Sequence, residues 1–304
     1  MDNLDAKIIR EFNGPGALQW DVRQSYSTIA TKLGADEETV RRRILRMQQS
    51  GHLNGSELIL NPYLINREPV GMELRVASPG RERKSELISQ IKLIDGVVMI
   101  VDLQGDALQV LLFCEDEKAV SRRTQLLSSI SGCSNPLIIR NMGFPRPDIR
   151  LSKTDWLILK SLRREPRRNS ADIAKELRTS VRTVERRIGI LTKNGAFFHM
   201  FRPDFKKFDG VAGSIIVSYK DGSRKSALDE AISSKLERVV FSFTASSTIS
   251  QFNYVCDNLL QAEANHEWIQ GLDGVDQARM GIVKGFILVT DWLDEEIDKR
   301  LLES

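Results

Sequence analysis

Apolar positions along this chain change period in a fixed order, and the order occurs twice. Residues 4–13 put Leu4, Ile8, Ile9 and Phe12 on one helical face, and residues 154–162 (TDWLILKSL) repeat the pattern. Second helices are predicted at 25–33 and 170–177. Each is followed by a tight turn, Gly34-Ala35-Asp36 or Arg178-Thr179-Ser180. Gly34 takes a positive φ at little cost, whereas Arg178 does not, so the second turn is expected to differ. Asp36 and Ser180 are suited to cap a third helix. Val40, Ile44 and Met47 share one face of that helix in the first copy; Val184, Ile188 and Leu191 do so in the second. Gly51 and Gly195 end it. Residues 29–51 and 173–195 are identical at nine of 23 positions, at a constant offset of 144. The β-prone stretches 57–60 and 196–201 that follow are suited to form a wing in each copy.

The remainder of each half alternates between strand and helix signals. In the first half the pattern predicts strands at 70–77, 97–103, 107–114 and 136–141, with helices at 82–94 and 116–130. In the second it predicts strands at 213–219, 239–246, 249–256 and 275–289, with helices at 223–236 and 259–270. Both orders are βαββαβ, the ferredoxin-like arrangement. The expected fold class is α+β, with winged helix-turn-helix units at 1–66 and 150–209 alternating with ferredoxin-like units at 67–145 and 210–304. The proline-containing segment 143–150 joins the halves, and Trp292, Leu293, Ile297 and Leu301 mark a final amphipathic helix.

A βαββαβ sheet carries helices on one face only, so its other face should be polar unless covered. In the first half Val97, Met99, Val101 and Leu103 oppose Val98 and Ile100, while Leu108, Val110 and Leu112 oppose Leu111 and Phe113. Both faces are apolar, which calls for burial of the open face against another sheet. In the second half Val239, Phe241, Phe243 and Ala245 oppose Val240, Ser242, Thr244 and Ser246. Its open face is therefore expected to line a polar interface, a ligand site or water.

The chain has 304 residues, 41% of them hydrophobic and 28% charged, a soluble-globular composition. It has no apolar run long enough to span a bilayer and no signal-peptide pattern, which suggests a cytoplasmic protein. Cys114, Cys133 and Cys256 are far apart and form no metal-ligand spacing. No phosphate-binding or dinucleotide-binding fingerprint is present. The net charge of +3 is too small to identify a partner, so the placement of charges must do so.

With the apolar face of the third helix inward, Glu38, Arg42 and Leu45 point outward, flanked by Thr39, Arg41, Arg43 and Arg46. The second copy presents Arg182 and Arg186, flanked by Thr183 and Arg187. A helix entering the major groove of double-stranded DNA uses such side chains. Arginine forks onto guanine or clamps phosphate, and threonine meets phosphate or a thymine methyl. Arg23 and Arg167 precede the second helix in equivalent places and suit backbone contacts. Glu37 and Glu38 put carboxylates at the groove-entering end of the first copy, where Glu38 either reads a cytosine amino group or weakens the module, so the second copy is expected to bind more strongly. The alternative for any one of these arginines is a solvated helix face.

The pattern SxxIAxxLG, then TVxRRIxxLxxxG, then βαββαβ resembles the Lrp/AsnC (feast/famine) family of prokaryotic regulators, archaeal type, over nearly the whole chain and twice over. The resemblance implies transcription regulation, assembly into homo-oligomers through the αβ sheets, and an amino acid or other small molecule as effector. It places Thr39, Arg42, Arg43, Thr183, Arg186 and Arg187 in the recognition helix. Gly105-Asp106 falls at the family's effector loop, although the second half of that motif is missing, and a plain hairpin turn is the favoured reading. A tandem chain carries unlike readers, which suggests an asymmetric DNA site with major-groove contacts roughly 34 Å apart.

Siroheme decarboxylases resemble the same family and also pair two halves, making an enzyme the principal rival. That chemistry calls for imidazole and cationic groups around a carboxylate. The chain has only His52, His199 and His266, each more simply read as structural. A ligand-sensing or assembly protein that kept its helices as scaffold is a third reading. The acidic run Asp294, Glu295, Glu296, Asp298 reads as the wet face of the last helix, and Trp156 and Trp292 as core. No metal, cofactor or catalytic group is implied by the preferred reading.

Overall fold

The computed structural model describes residues 1–13, 24–77, 80–140 and 142–303. The first module is α1 (Asn3–Asn13), α2 (Tyr26–Leu33) and α3 (Glu37–Gln49), followed by strand β1 (Leu53–Leu60). Then come β2 (Glu68–Arg75), α4 (Arg81–Ile91), β3 (Val97–Leu103), β4 (Ala107–Cys114), α5 (Glu117–Ser131) and β5 (Leu137–Ile139). The second module is α6 (Lys153–Leu162), α7 (Ser170–Glu176) and α8 (Val181–Lys193), followed by β6 (Phe197–Pro203). The chain continues through β7 (Val211–Tyr219), α9 (Lys225–Lys235), β8 (Val239–Ser246), β9 (Ile249–Cys256), α10 (Leu259–Gln270), β10 (Val275–Leu288) and α11 (Asp291–Glu303). The fold is α+β, in the element order that the hydrophobic periods predict.

The halves are joined in three ways that periodicity does not reveal. First, the strands expected to form separate wings pair with each other. β1 and β6 make an antiparallel two-stranded ribbon, with Leu58 opposite His199 and Leu60 opposite Phe197. Each strand ends its module with an apolar run, and pairing across the halves buries both runs at once.

Second, the two four-stranded sheets form one sheet of eight strands in the order β5-β2-β4-β3-β10-β7-β9-β8. Strand β10 makes the join. Its first part pairs with β7 (Ala278 opposite Val217) and its end with β3 (Phe286 opposite Val101). Third, the faces turned away from the helices bury each other, as the two apolar faces of the first sheet require. Met99, Val101, Leu111 and Phe113 share one core with Ile216, Ala245 and the aromatic rings of Phe241 and Phe243. A polar pair sits inside this core. Gln251 donates to Oε1 of Gln109 at 2.9 Å and to Ser214 at 3.0 Å, and Gln109 donates to Glu73 at 3.2 Å. Gln109 and Gln251 occupy equivalent places in their sheets, opposite Val101 and Phe243.

Two facial assignments need correction. A bulge between Val97 and Met99 exchanges two residues: Val97 joins Ile100 under the helices, and Val98 joins Met99 on the inner face. In the second sheet the polar set Ser242 and Thr244 lies on the α9 side, not on the open face, which is apolar.

The acidic face of α11 is also not simply wet. Asp294 meets buried Arg163 at 3.0 Å and Arg164 at 2.6 Å, Asp298 pairs with Lys160, and Glu296 pairs with Arg300. Arg163 further donates to the carbonyls of Leu58 and Thr290, each at 2.7 Å. It thereby clamps α6, β1 and the start of α11 together. Trp156 is core as expected, and the Trp292 indole donates to the Val97 carbonyl at 2.7 Å.

Candidate nucleic-acid interface

The turn before each third helix is the same in both modules, contrary to expectation. Gly34 has φ of 64° and Arg178 a φ of 52°, and the residue after each donates back across the turn at 2.9 Å, Ala35 to Ala30 and Thr179 to Ala174. Arg178 therefore occupies the left-handed region that a Cβ disfavours. The helices that follow are capped as their sequences indicate. Asp36 accepts from Thr39 N and Oγ1, both at 2.7 Å, and Ser180 accepts from Thr183 N at 3.1 Å. The Thr183 hydroxyl lies 2.9 Å from that of Ser180. Val40, Ile44 and Met47 are buried in the first module; Val184, Ile188 and Leu191 are buried in the second.

The paired arginines divide into two kinds. Arg42 and Arg186 are exposed and make no ion pair among the described residues. Arg182 stands the same way at the start of α8. Arg43 and Arg187 turn back onto the first helix of their own module. Arg43 meets Asp2 at 2.6 Å and Asp5 at 2.9 Å. Arg187 forks onto Asp155, with Nε 2.6 Å from Oδ1. Asp5 and Asp155 are almost wholly buried and complete reciprocal caps with Asp2 and Ser152. Burial opposes ionisation of Asp155, but Arg187 and Ser152 overcome it and hold the carboxyl below the usual range. Arg46 adds a third contact in the first module, 2.7 Å from Asp5, while remaining more than half exposed. The signal for this brace is present in the sequence: an acid at the same capping position of both first helices.

The exposed faces differ in charge. In α3, Arg41 pairs with Glu37 at 3.1 Å and lies 3.9 Å from Glu38, so the start of that helix is locally neutralised. In α8, Arg182 and Arg186 are accompanied only by Glu185. Arg167 does not stand on an outer face. Its guanidinium lies over the rings of Tyr26 (4.6 Å) and Phe12 (5.6 Å) and donates to the Gln24 carbonyl at 2.9 Å, joining the two modules. Arg23 lies outside the described residues. Gly105 and Asp106 form the β3–β4 turn, with Asp106 paired to Arg75 at 2.9 Å.

The histidines are dispersed. His52 lies 2.7 Å from Ser50 Oγ and stacks on Phe208, and His266 lies 3.0 Å from the Ala278 carbonyl. His199 is buried between Phe12 and Phe201, and neither ring nitrogen has a hydrogen-bond partner. Among the described residues no cluster could hold a metal ion. No described helix is long and apolar enough to cross a membrane.

Comparisons with known proteins agree with this geometry. Residues 1–48 match an AsnC-type helix-turn-helix domain, and residues 151–196 match a winged helix-turn-helix DNA-binding domain. The HTH-type transcriptional regulator Ptr1 of Methanocaldococcus jannaschii is 27% identical over 145 residues, 46% of this chain and 93% of that protein. An uncharacterized HTH-type transcriptional regulator of Pyrococcus furiosus is 31% identical over 96 residues, 31% of this chain and 61% of that protein. Siroheme decarboxylase NirDL shares the fold over 99% of both chains, with a TM-score of 0.56 and 13% identity. Two helix-turn-helix units with equivalent caps and the same acid–arginine brace, the first matching the AsnC type and each followed by a βαββαβ unit, make the chain similar to Lrp/AsnC-type regulators twice over.

Proposed function

We propose that this protein is a DNA-binding transcriptional regulator whose one chain carries two unlike reading heads. The carrying observation is the division of labour within each arginine pair. Arg43 and Arg187 brace α3 and α8 against their own modules, leaving Arg42 and Arg186 unpaired on the outer face. Pre-organised helices with free guanidinium groups suit groove entry. Arg182, Arg46, Thr39 and Thr183 are secondary contacts. The threonine hydroxyls are held at the caps by Asp36 and Ser180, at the end of each helix that would approach the duplex. Because Glu37 and Glu38 neutralise Arg41, the second head dominates and the preferred site is asymmetric.

The test is selection of genomic fragments by the purified protein, followed by salt titration of single variants. Arg186→Ala is expected to weaken binding more than Arg42→Ala. The two together should lower the salt slope by up to about two. An unchanged slope and affinity would remove both residues from the interface.

The same reading includes a small-molecule effector and assembly of chains. Because the inner sheet faces already cover each other, further assembly would use other surfaces, and sedimentation velocity would report it. The decarboxylase reading has one point in its favour, the shared fold along the whole chain. The scatter of His52, His199 and His266 among separate sites weighs against it. No shift of the Soret band is expected on titration with iron uroporphyrin.

A further inference from the structure

The duplication provides an internal control for one cell of the fold, the space between the first helix of each βαββαβ unit and its sheet. Val76 and Tyr219 stand at the same place, each donating its N–H at 2.8 Å to the β-turn carbonyl of Asp106 or Thr248. Ile100 and Ser242 face Val110 and Phe252, and Leu108 and Ser250 face Asp102 and Thr244. Ile88 and Asp229 each follow a buried lysine, Lys84 or Lys225, by four residues. In the first half the four positions are aliphatic and close the core. In the second they are Tyr, Asp, Ser and Ser. Asp229 Oδ1 accepts from Tyr219 at 2.5 Å, and its Oδ2 accepts from Lys225 at 2.6 Å and Ser250 at 2.9 Å. A cleft of about 690 Å³ opens beside this network.

In the first half these four positions are apolar and the charged pair of the cell is Lys84 with Asp102 at 2.7 Å, so folding does not require polar groups at the four. Their chemistry points to an oxyanion. Lys225 uses two of its three N–H groups, on Asp229 and on Thr244 at 3.1 Å. Asp229 accepts three hydrogen bonds and shares the Lys225 charge, and the other acid of the lining, Glu230, is exposed to solvent. Arg10, which reaches the cleft from α1, makes no ion pair among the described residues. The first turn of α9, which no side chain caps, supplies Lys225 and Ser226 to the lining. We propose that this cleft binds a small molecule through a carboxylate or phosphate group held between Lys225 and Arg10, with Ser226, Ser242 and Thr244 bonding its polar remainder. Because Arg10 belongs to the first reading head, the ligand ties that head to the second sheet; this consequence rests on the regulator reading, whereas the binding does not.

Calorimetric titration of the full chain with sodium phosphate, and separately with sodium succinate, tests the site and distinguishes its two sources. Saturable millimolar binding of at least one probe is expected. Arg10→Gln should weaken it about tenfold, the loss of one charge-assisted contact. A variant given the first half's residues (Tyr219→Val, Asp229→Ile, Ser242→Ile, Thr244→Asp, Ser250→Leu) should melt cooperatively and bind neither probe. Absence of saturable binding of both probes to the wild type overturns the proposal, as does undiminished binding in Arg10→Gln or in the five-residue variant. If binding holds but a saturating probe leaves DNA affinity unchanged, the link to the first head falls while the site stands.

Discussion

His199 should make the stability of this protein fall on mild acidification. Its ring is enclosed by Phe12 from α1 and Phe201 from β6, opposite Leu58, and neither nitrogen is bonded. Burial, helped by the nearby Arg167 charge, depresses its pKa to about 3. In the unfolded chain the ring titrates near 6.5. A depressed folded value means that the full stability is present above pH 6.5 and is lost as pH falls toward 3. At pH 5 the unfolded imidazole lies about 1.5 units below its pKa, so the loss is about 2 kcal/mol relative to pH 8. The assay is urea unfolding at pH 8 and pH 5, with hydrogen exchange at β1 and β6 identifying the unit that contains His199. His199→Phe, which keeps an aromatic ring among aromatic neighbours, should abolish most of the difference. An equal loss in wild type and variant would refute the reasoning, since Asp155, whose pKa is lowered, responds only below about pH 4.

Other perturbations follow from the same geometry. Arg178→Gly should stabilise the second module by about 1 kcal/mol, because Arg178 is exposed and holds a positive φ, and a higher melting temperature would show it. Arg187→Ala should destabilise by about 2–3 kcal/mol by leaving buried Asp155 without its partner, whereas Arg186→Ala should leave the unfolding midpoint within about 0.5 kcal/mol of wild type. Equal effects of those two substitutions in urea unfolding would contradict the division between brace and contact. Arg163→Ala should cost about 3–5 kcal/mol and loosen α11, read as protease cleavage near the C-terminus, since it leaves buried Glu57 and the Leu58 and Thr290 carbonyls short of a donor.

Most of the architecture was legible because each element carries its own period: 3.6 in Val40, Ile44, Met47 and nearly 2 in Leu108, Val110, Leu112. What was not legible depends on partners distant in sequence. Nothing local to residues 57–60 states that their mate lies at 197–200 in the other half. The bulge at Val97 exchanges the faces of Val97 and Val98 without altering the composition of their strand. The arginine pairs are visible in the sequence as a repeated motif, but periodicity alone could not separate the brace from the outward member, because the deciding acid sits on another helix. Arg178 misled for a different reason: the repeated turn imposed its backbone geometry on a residue that disfavours it.

Strand β10 bears on how this chain can change over generations. Each half supplies its own four strands, and one continuous strand pairs with β7 of its own half and with β3 of the other, so each sheet has a neighbour from the opposite half. A gene split near residue 146 would yield a first half with β3 as an unpaired edge and a second half whose last strand ends without a mate. Both would also lack the opposite strand of the β1–β6 ribbon. Covalent linkage therefore keeps each exposed strand beside its mate. With both helix-turn-helix modules on one chain, the two are inherited together, and each is free to diverge in charge without losing its partner.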